Sequence, residues 1–336
     1  MSRCWITGLG AVGPGGIGRE GLRSRSAADR LKAVPPGLPL KEGFPPRAVR
    51  WLDASSLTFV HAARQALLES GESDPGGLAS VVGLGWGSNP PVHHLVESIH
   101  REGFSGMNPG LFPYSVGNAP AAQAGILLGV KGPSMTLNGK EASGLAALVE
   151  GCRILAAGAA RGALAGAVDH LFPFVDRYLR FYGGAGHPPY GDGAYVCTLR
   201  GADEPPSASA VAVSAWASAT EPCAPHRYPE GGVSLAAVVE RVLERTGWDG
   251  ASVDCCALPR DGREVAKRAD ALRRRFLPHA EDLDFQRLFG LCGASGCAAA
   301  QLAVMRIQEG RGKRAVLGAV STGGGAWAIG LETAPP

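Results

Sequence analysis

No C-x-x-C pair occurs among the eight cysteines of this 336-residue chain, so the usual spacing of a thiolate metal site or a redox couple is missing. Cys4, Cys152 and Cys197 stand inside apolar runs, where cysteine behaves as a small hydrophobe. Cys255 and Cys256 are neighbours, and neighbours on a strand point to opposite faces. Reduced thiols and a cytoplasmic setting are the expectation. An excess of charge is missing too. With 33 Lys and Arg against 30 Asp and Glu, the formal +3 is too small to argue for nucleic acid or a membrane surface. Apolar stretches such as 154–168 are interrupted by Gly and Arg and are too short to span a bilayer. The first residues, Cys4-Trp5-Ile6, open a strand at once, without a basic-then-apolar leader pattern. Low-complexity tracts are also missing, since the 49 Gly and 25 Pro are spread as short turn signals. What remains is a globular chain, long enough for two domains or one large duplicated one.

Strand-like and helix-like runs alternate along it, the grammar of a layered α/β fold. Leu57, Val60, Ala63, Leu67 and Leu68 have helical periodicity and stop near Gly71. Val81-Val82-Gly83-Leu84-Gly85 reads as a buried strand. A helix over 118–129, a strand over 133–138, a helix presenting Leu145, Leu148, Val149 and Cys152, and strands at 163–166 and 194–199 follow. After a polar, Pro-rich stretch at 201–207 the pattern starts again: strand 210–216, helix 234–245, strand 253–258, helices 264–276 and 294–308, and strands 315–320 and 327–332. Two halves with one grammar, 1–205 and 206–336, suggest an internal duplication that the residues themselves do not repeat.

Gly8-Leu9-Gly10-Ala11-Val12-Gly13 after a first strand matches the dinucleotide fingerprint in spacing. That fingerprint needs a helix to open at the glycines. Here Pro14-Gly15-Gly16 follow, which open helices badly, and no acidic residue closes a second strand at the usual distance. No cofactor is expected.

The segment from Phe112 to Asp169 contains N-A-P-A, G-P-S-M-T-L, E-A-S-G-L and A-L-A-G-A-V-D in that order. These motifs resemble the β-ketoacyl synthase family closely. The opening I-T-G-L-G-A-V-G-P-G-G, Gly191-Asp192-Gly193-Ala194 and Gly293-Ala294-Ser295-Gly296 extend the resemblance to both halves. It implies the thiolase fold: five layers, αβαβα, from two duplicated halves.

The resemblance also locates the family's chemistry, and here that chemistry is replaced. The cysteine nucleophile would stand two residues before Ser143-Gly144, at a helix N-terminus that favours a thiolate; Glu141 stands there. The first histidine that stabilises the enolate falls near Pro259, after the strand Val253–Ala257. The second falls at Gly290, and the lysine five residues before it at Phe285. The gating loop is Thr322-Gly323-Gly324-Gly325, without its phenylalanine. No catalytic residue is expected. Glu141 reads as a carboxylate satisfied by the positive end of the following helix, and a mimic of an acyl or carboxylated group is the sharper alternative. Lys140 beside it points away.

The resemblance therefore implies a catalytically silent relative of chain-length-factor type. Such a subunit pairs with an active ketosynthase in type II polyketide, polyene or fatty-acid-like biosynthesis and shapes the acyl tunnel. A malonyl-carrier decarboxylase and a homodimeric acyl binder are the alternatives; the decarboxylase needs both histidines to stabilise its enolate. The family's dimer interface and tunnel would fall on Met107, Phe112, Pro113, Tyr114 and Asn118, and on the strand residues Ser134, Met135 and Thr136. Lys267, Arg268, Arg273, Arg274 and Arg275 form a basic helix stretch, a candidate docking face for an acidic acyl carrier protein against ordinary solvation. His93, His94 and His100 are two turns apart on a helical stretch and poorly placed for metal. Partners in nucleic acid or membrane are not expected.

Overall fold

Every central strand is covered on both faces, and the alternation of its side chains tells by what. The computed structural model describes residues 3–23, 31–87, 89–170, 172 and 190–334. In the first half, β1 (Arg3–Gly13), β2 (Leu78–Leu84), β3 (Ser134–Leu137), β4 (Gly162–Asp169) and β5 (Gly193–Ala202) lie in the order β3-β2-β4-β5-β1. In the second, β6 (Val211–Thr220), β7 (Cys255–Ala257), β8 (Glu281–Asp282), β9 (Arg314–Val320) and β10 (Gly325–Thr333) lie in the order β8-β7-β9-β10-β6. The two orders are the same: third, second, fourth, fifth, first. The directions match as well, with parallel pairs β2–β3, β2–β4, β7–β8 and β7–β9 and antiparallel pairs elsewhere. The duplication suggested by the grammar is thus present in the topology. The first strands of the halves pair antiparallel, Cys4 with Val213 and Ile6 with Val211, and join the two sheets.

Helices complete the five layers. In the first half these are α1 (Ala54–Ser70), α2 (Asn89–Glu102), α3 (Ala119–Leu128) and α4 (Ser143–Ala156). In the second they are α5 (Val233–Thr246), α6 (Arg263–Phe276), α7 (Phe285–Phe289) and α8 (Ser295–Gln308). Val82 and Leu164 join Phe59 and Val60 of α1 in one outer core. Val81, Ala163 and Ala165, their neighbours on the same strands, face inward to Leu145, Leu148 and Val149 of α4 and Ala299 and Val304 of α8. Period-two alternation divides each strand between the two cores. Cys255 belongs to the central core and Cys256 to the outer core under α5 and α6, on opposite faces as expected. All eight cysteines are free, and Cys4, Cys152 and Cys197 are fully buried. No helix among the described residues is long and apolar enough to cross a membrane.

The glycines of the false fingerprint have a packing reason. β1 does not turn at them but runs on through Gly13. A Cβ on Gly8 would lie 2.1 Å from the Ala66 carbonyl oxygen, and one on Gly10 1.8 Å from that of Ala62. Their absence lets α1 press its backbone onto the strand. The shortest elements escaped the sequence reading, among them β8 and α7. The two-residue strand β8 is too short for any periodicity to register, and the five-residue α7 is shorter than two turns.

Candidate functional site

The site forms where α4 begins, and the geometry of that elbow is tightly specified. β3 ends at Leu137, a single 3₁₀ turn spans Lys140–Ala142, and α4 starts at Ser143. Ser143 Oγ accepts from the Gly139 N–H at 2.9 Å and lies 2.7 Å from the carbonyl oxygens of Leu84 and Lys140. Lys140 takes φ +50°, the left-handed region that a side chain disfavours by about 1 kcal/mol or more. The two buried helices meet at their starts. The Gly144 N–H donates to the Gly293 carbonyl at 2.7 Å, and a Cβ on Gly296 would lie 2.8 Å from the Leu145 nitrogen. Asp169, at the end of β4, holds the three backbones that converge here. Its carboxylate accepts from the N–H groups of Gly85, Trp86 and Gly293. Burial pushes its pKa up to about 6, against the pull of those three donors.

A cavity of about 1180 Å³ opens above this elbow between the halves. Glu141 lines it, but its carboxylate is not satisfied as expected by the end of α4. The helix starts two residues later, and Glu141 Oε2 accepts instead from the N–H of Thr322 at 3.2 Å and from its hydroxyl at 3.4 Å. Lys140 does not point apart from Glu141: both line the cavity and both reach Thr322. Its Nζ donates to the carbonyls of Pro225 and Thr322. The elbow thus grips two loops of the second half.

The second-half loop presents Asp261 to the cavity. Pro259 is buried and does not line it. Asp261 is only 3% exposed, and Gln286 Nε2 of α7 donates to its Oδ1. Burial first, then the charge of Glu141, raise its pKa to about 8, while hydrogen bonds from Gln286 and Tyr228 oppose the shift. Asp261 is therefore largely protonated at neutral pH. Burial, with the charges of Glu141 and Asp261, also pushes Tyr190 up to about 12 and Tyr228 well above the ordinary phenol value. Sequence reading missed Asp261 because nothing in Pro259-Arg260-Asp261-Gly262 marks one carboxylate as buried. Only the packing of α7 does that.

Gly290 follows α7 at φ +78°, its Cα against the backbone of Gly191, and lies behind the lining. From that segment the wall is made by Leu291, Cys292 and Gly293. Cys292 is the one cysteine on the wall among the described residues. Burial, with Asp169 nearby, pushes its thiol up to about 12. It is a wall residue with no thiolate to offer.

The remaining candidates lie elsewhere. Phe112 is 62% exposed and Met135 38%; Pro113, Asn118 and Ser134 are exposed, and Met107, Tyr114 and Thr136 half-buried. All sit on the 3₁₀ turn over Pro109–Tyr114, its flanks, or the edge strand β3, and none lines the cavity. The basic stretch of α6 does not form one face. Arg268 reaches the cavity mouth and bonds the Pro229 carbonyl, and Arg273 bonds the Ala280 carbonyl at 3.2 Å. Lys267 pairs with Glu264 at 2.9 Å, and Arg274 and Arg275 are exposed. No cluster of three His, Cys, Asp or Glu able to hold a metal is found among the described residues.

Residues 38–175 match the family model of the β-ketoacyl synthase N-terminal domain. No curated protein matches the chain. Among solved structures, the fold superposes on the ishigamide ketosynthase/chain length factor, with a TM-score of 0.84 and 21% identity over 99% of this chain and 100% of the other. A β-ketoacyl synthase from Burkholderia phymatum gives 0.84 and 14% over all of both chains. A ketosynthase, ApeO, in complex with its chain length factor, ApeC, from Xenorhabdus doucetiae gives 0.80 and 13% over 99% and 98%. The chain has the thiolase-like fold of the ketosynthases.

Proposed function

We propose that the chain is a non-catalytic ketosynthase-like subunit of chain-length-factor type, pairing with an active ketosynthase in a type II polyketide-like pathway and serving with it an acyl carrier protein. The observation that carries this reading is Glu141. It occupies the elbow where a ketosynthase of this fold needs its thiolate, and its carboxylate is hydrogen-bonded to Thr322. A carboxylate cannot form the thioester of the transferase step. The loop at 258–262 and the residue Gly290 present no imidazole to an enolate.

Two further observations support the pairing. β3 is the end strand of the sheet, and apolar side chains stand exposed around it: Met135 on the strand, Ile126 on α3, Phe112 and Val116 before α3. An open strand edge beside such a patch favours a partner. The similar solved structures include ketosynthases with their chain length factors and one ketosynthase in complex with its acyl carrier protein.

The test is to co-express the chain with a ketosynthase that keeps its cysteine, and to treat the purified chain with acyl-loaded carrier protein. Co-purification in equal amounts, with no acyl adduct on this chain by intact mass, is the expected result. A stable acyl adduct on any cavity residue overturns the non-catalytic assignment. A stable monomer that binds no ketosynthase overturns the subunit role.

A further inference from the structure

Two thiols that are distant in sequence meet in the middle of the fold. Cys4 is the second residue of β1, and Cys152 lies in the second half of α4. They are 148 positions apart, yet their Sγ atoms are 3.1 Å from each other. That is about 1 Å beyond the length of a disulfide bond. Both are buried in the central core, with Ile6, Leu148 and Leu155.

The other thiols are engaged differently. Cys297 donates to the Gly144 carbonyl at 3.1 Å, Cys292 accepts from the Ser295 hydroxyl at 3.6 Å, and Cys197 lies 4.0 Å from Gln301 Nε2. Cys255 and Cys256 face opposite cores. Cys223 is half-buried and donates to the Arg227 carbonyl at 3.2 Å. As a small hydrophobe a buried cysteine needs no partner; direct contact between two sulfurs sets Cys4 and Cys152 apart. Contact with Cys4, then burial, push the Cys152 thiol well above the ordinary cysteine value. Exchange needs a thiolate, so the pair is inert while the fold is closed.

We propose that Cys4 and Cys152 form a crosslinking site, joined as a disulfide when the chain folds in the presence of a disulfide oxidant. The step is thiol–disulfide exchange. The thiolate of one cysteine attacks the oxidant's disulfide and displaces one thiol. The second cysteine attacks the mixed disulfide and displaces the other. Each cysteine loses one proton and one electron, and the oxidant is reduced to two thiols. The bond ties α4, the helix that follows Glu141, to β1, the strand that joins the two sheets. It closes a loop spanning 148 positions, so it restricts the unfolded chain far more than the folded one. Because both sulfurs are buried, oxidant and reductant reach them only while β1 and α4 are apart. The link is therefore set at folding and is not switched in the native state. It concerns this chain alone and stands whether or not the chain pairs with a ketosynthase.

The experiment is cell-free synthesis of the full-length chain in two buffers, one with glutathione and its disulfide, the other with excess dithiothreitol. Non-reducing tryptic mapping of the oxidised sample should yield peptides 4–19 and 141–153 linked to each other. Intact mass should show the loss of two hydrogen atoms. The crosslinked chain should melt about 5 °C or more above the reduced one. Cys152→Ala, which keeps the position apolar, should erase that difference, and Cys197→Ala should leave the link in place. When glutathione disulfide is added instead to the folded, reduced chain, Cys223 should be modified at least about tenfold faster than the link forms. The proposal is overturned by a folded oxidised chain with no bond between Cys4 and Cys152, or by a bond from either to Cys197 instead. It is equally overturned by a crosslinked chain that melts no higher than the reduced one, by linking as fast as Cys223 is modified, or by a chain soluble only in dithiothreitol.

Discussion

At the residue scale the turn before α4 presents a carboxylate, Glu141, to the cavity. Ser143, Gly144 and the left-handed Lys140 still build the sharp turn that would expose a thiolate. The side chain at the exposed position now links two halves of the molecule instead. Restoring the thiol is therefore not enough. Glu141→Cys, assayed by mass spectrometry with malonyl- and acyl-loaded carrier protein, should give no condensation product, since neither the loop at 258–262 nor Gly290 supplies a histidine to stabilise the enolate. Asp261 carries the opposite kind of prediction. Its pKa in the folded chain, about 8, is raised above the ordinary aspartate value of 3.8. The folded state thus holds a proton that the unfolded state has lost between those values. The stabilisation is full below about pH 4 and declines as pH rises toward 8. Asp261→Asn keeps an acceptor for Gln286 and removes the ionisation. It should raise the melting temperature, by an amount that grows from pH 5 to pH 8 and is equivalent to roughly 2 kcal/mol at the upper end.

At the scale of elements, close backbone approach sets the layers. α1 rests on β1 only because Gly8 and Gly10 have no Cβ. Gly10→Ala should push helix and strand apart and cost about 3 kcal/mol or more, seen as a lowered denaturation midpoint or as insoluble protein. The turn over Pro109–Tyr114 is the opposite case. It buries none of its residues and holds Phe112 out to 62% exposure. A ring so exposed adds little to the fold of this chain alone, so its use lies in contact. With an active ketosynthase bound, Phe112→Ala or Tyr114→Gly should lengthen the products measured by mass spectrometry while the complex stays intact. An unchanged product profile would remove both from any role in chain length.

At the scale of the whole molecule, the open question is what covers the edge of the sheet. β3 ends the row of strands, with Ser134 and Met135 exposed. An assembly through this edge would join two sheets across the interface and bury a surface of the obligate class, roughly 2,000 Å² or more. Met135→Lys would place a charge in the middle of that contact, as natural edge strands do to prevent pairing. Sedimentation velocity should then show the assembly dissociating, while circular dichroism stays unchanged. An assembly that survives this charge uses another surface.

The sequence by itself determined the elements and their order, because core-facing periodicity and turn chemistry are local. The continuous apolar runs over β2 and β4, the helical stripe of Leu145, Leu148 and Val149, and the stop at Gly71 are all legible without a fold. The place of Glu141 in the turn just before α4 was legible too, since Ser143-Gly144 leaves no freedom in counting. Only the tertiary structure decided what Glu141 touches. Thr322 is 181 positions away, and nothing in either segment announces the contact. The same holds for Asp261, an ordinary loop aspartate until α7 and Tyr228 bury it, and for the basic stretch of α6, whose adjacent cations the helix turns to different sides. Composition and periodicity report on neighbours along the chain. The charge state of a carboxyl depends on dielectric and on partners, and folding alone brings those together.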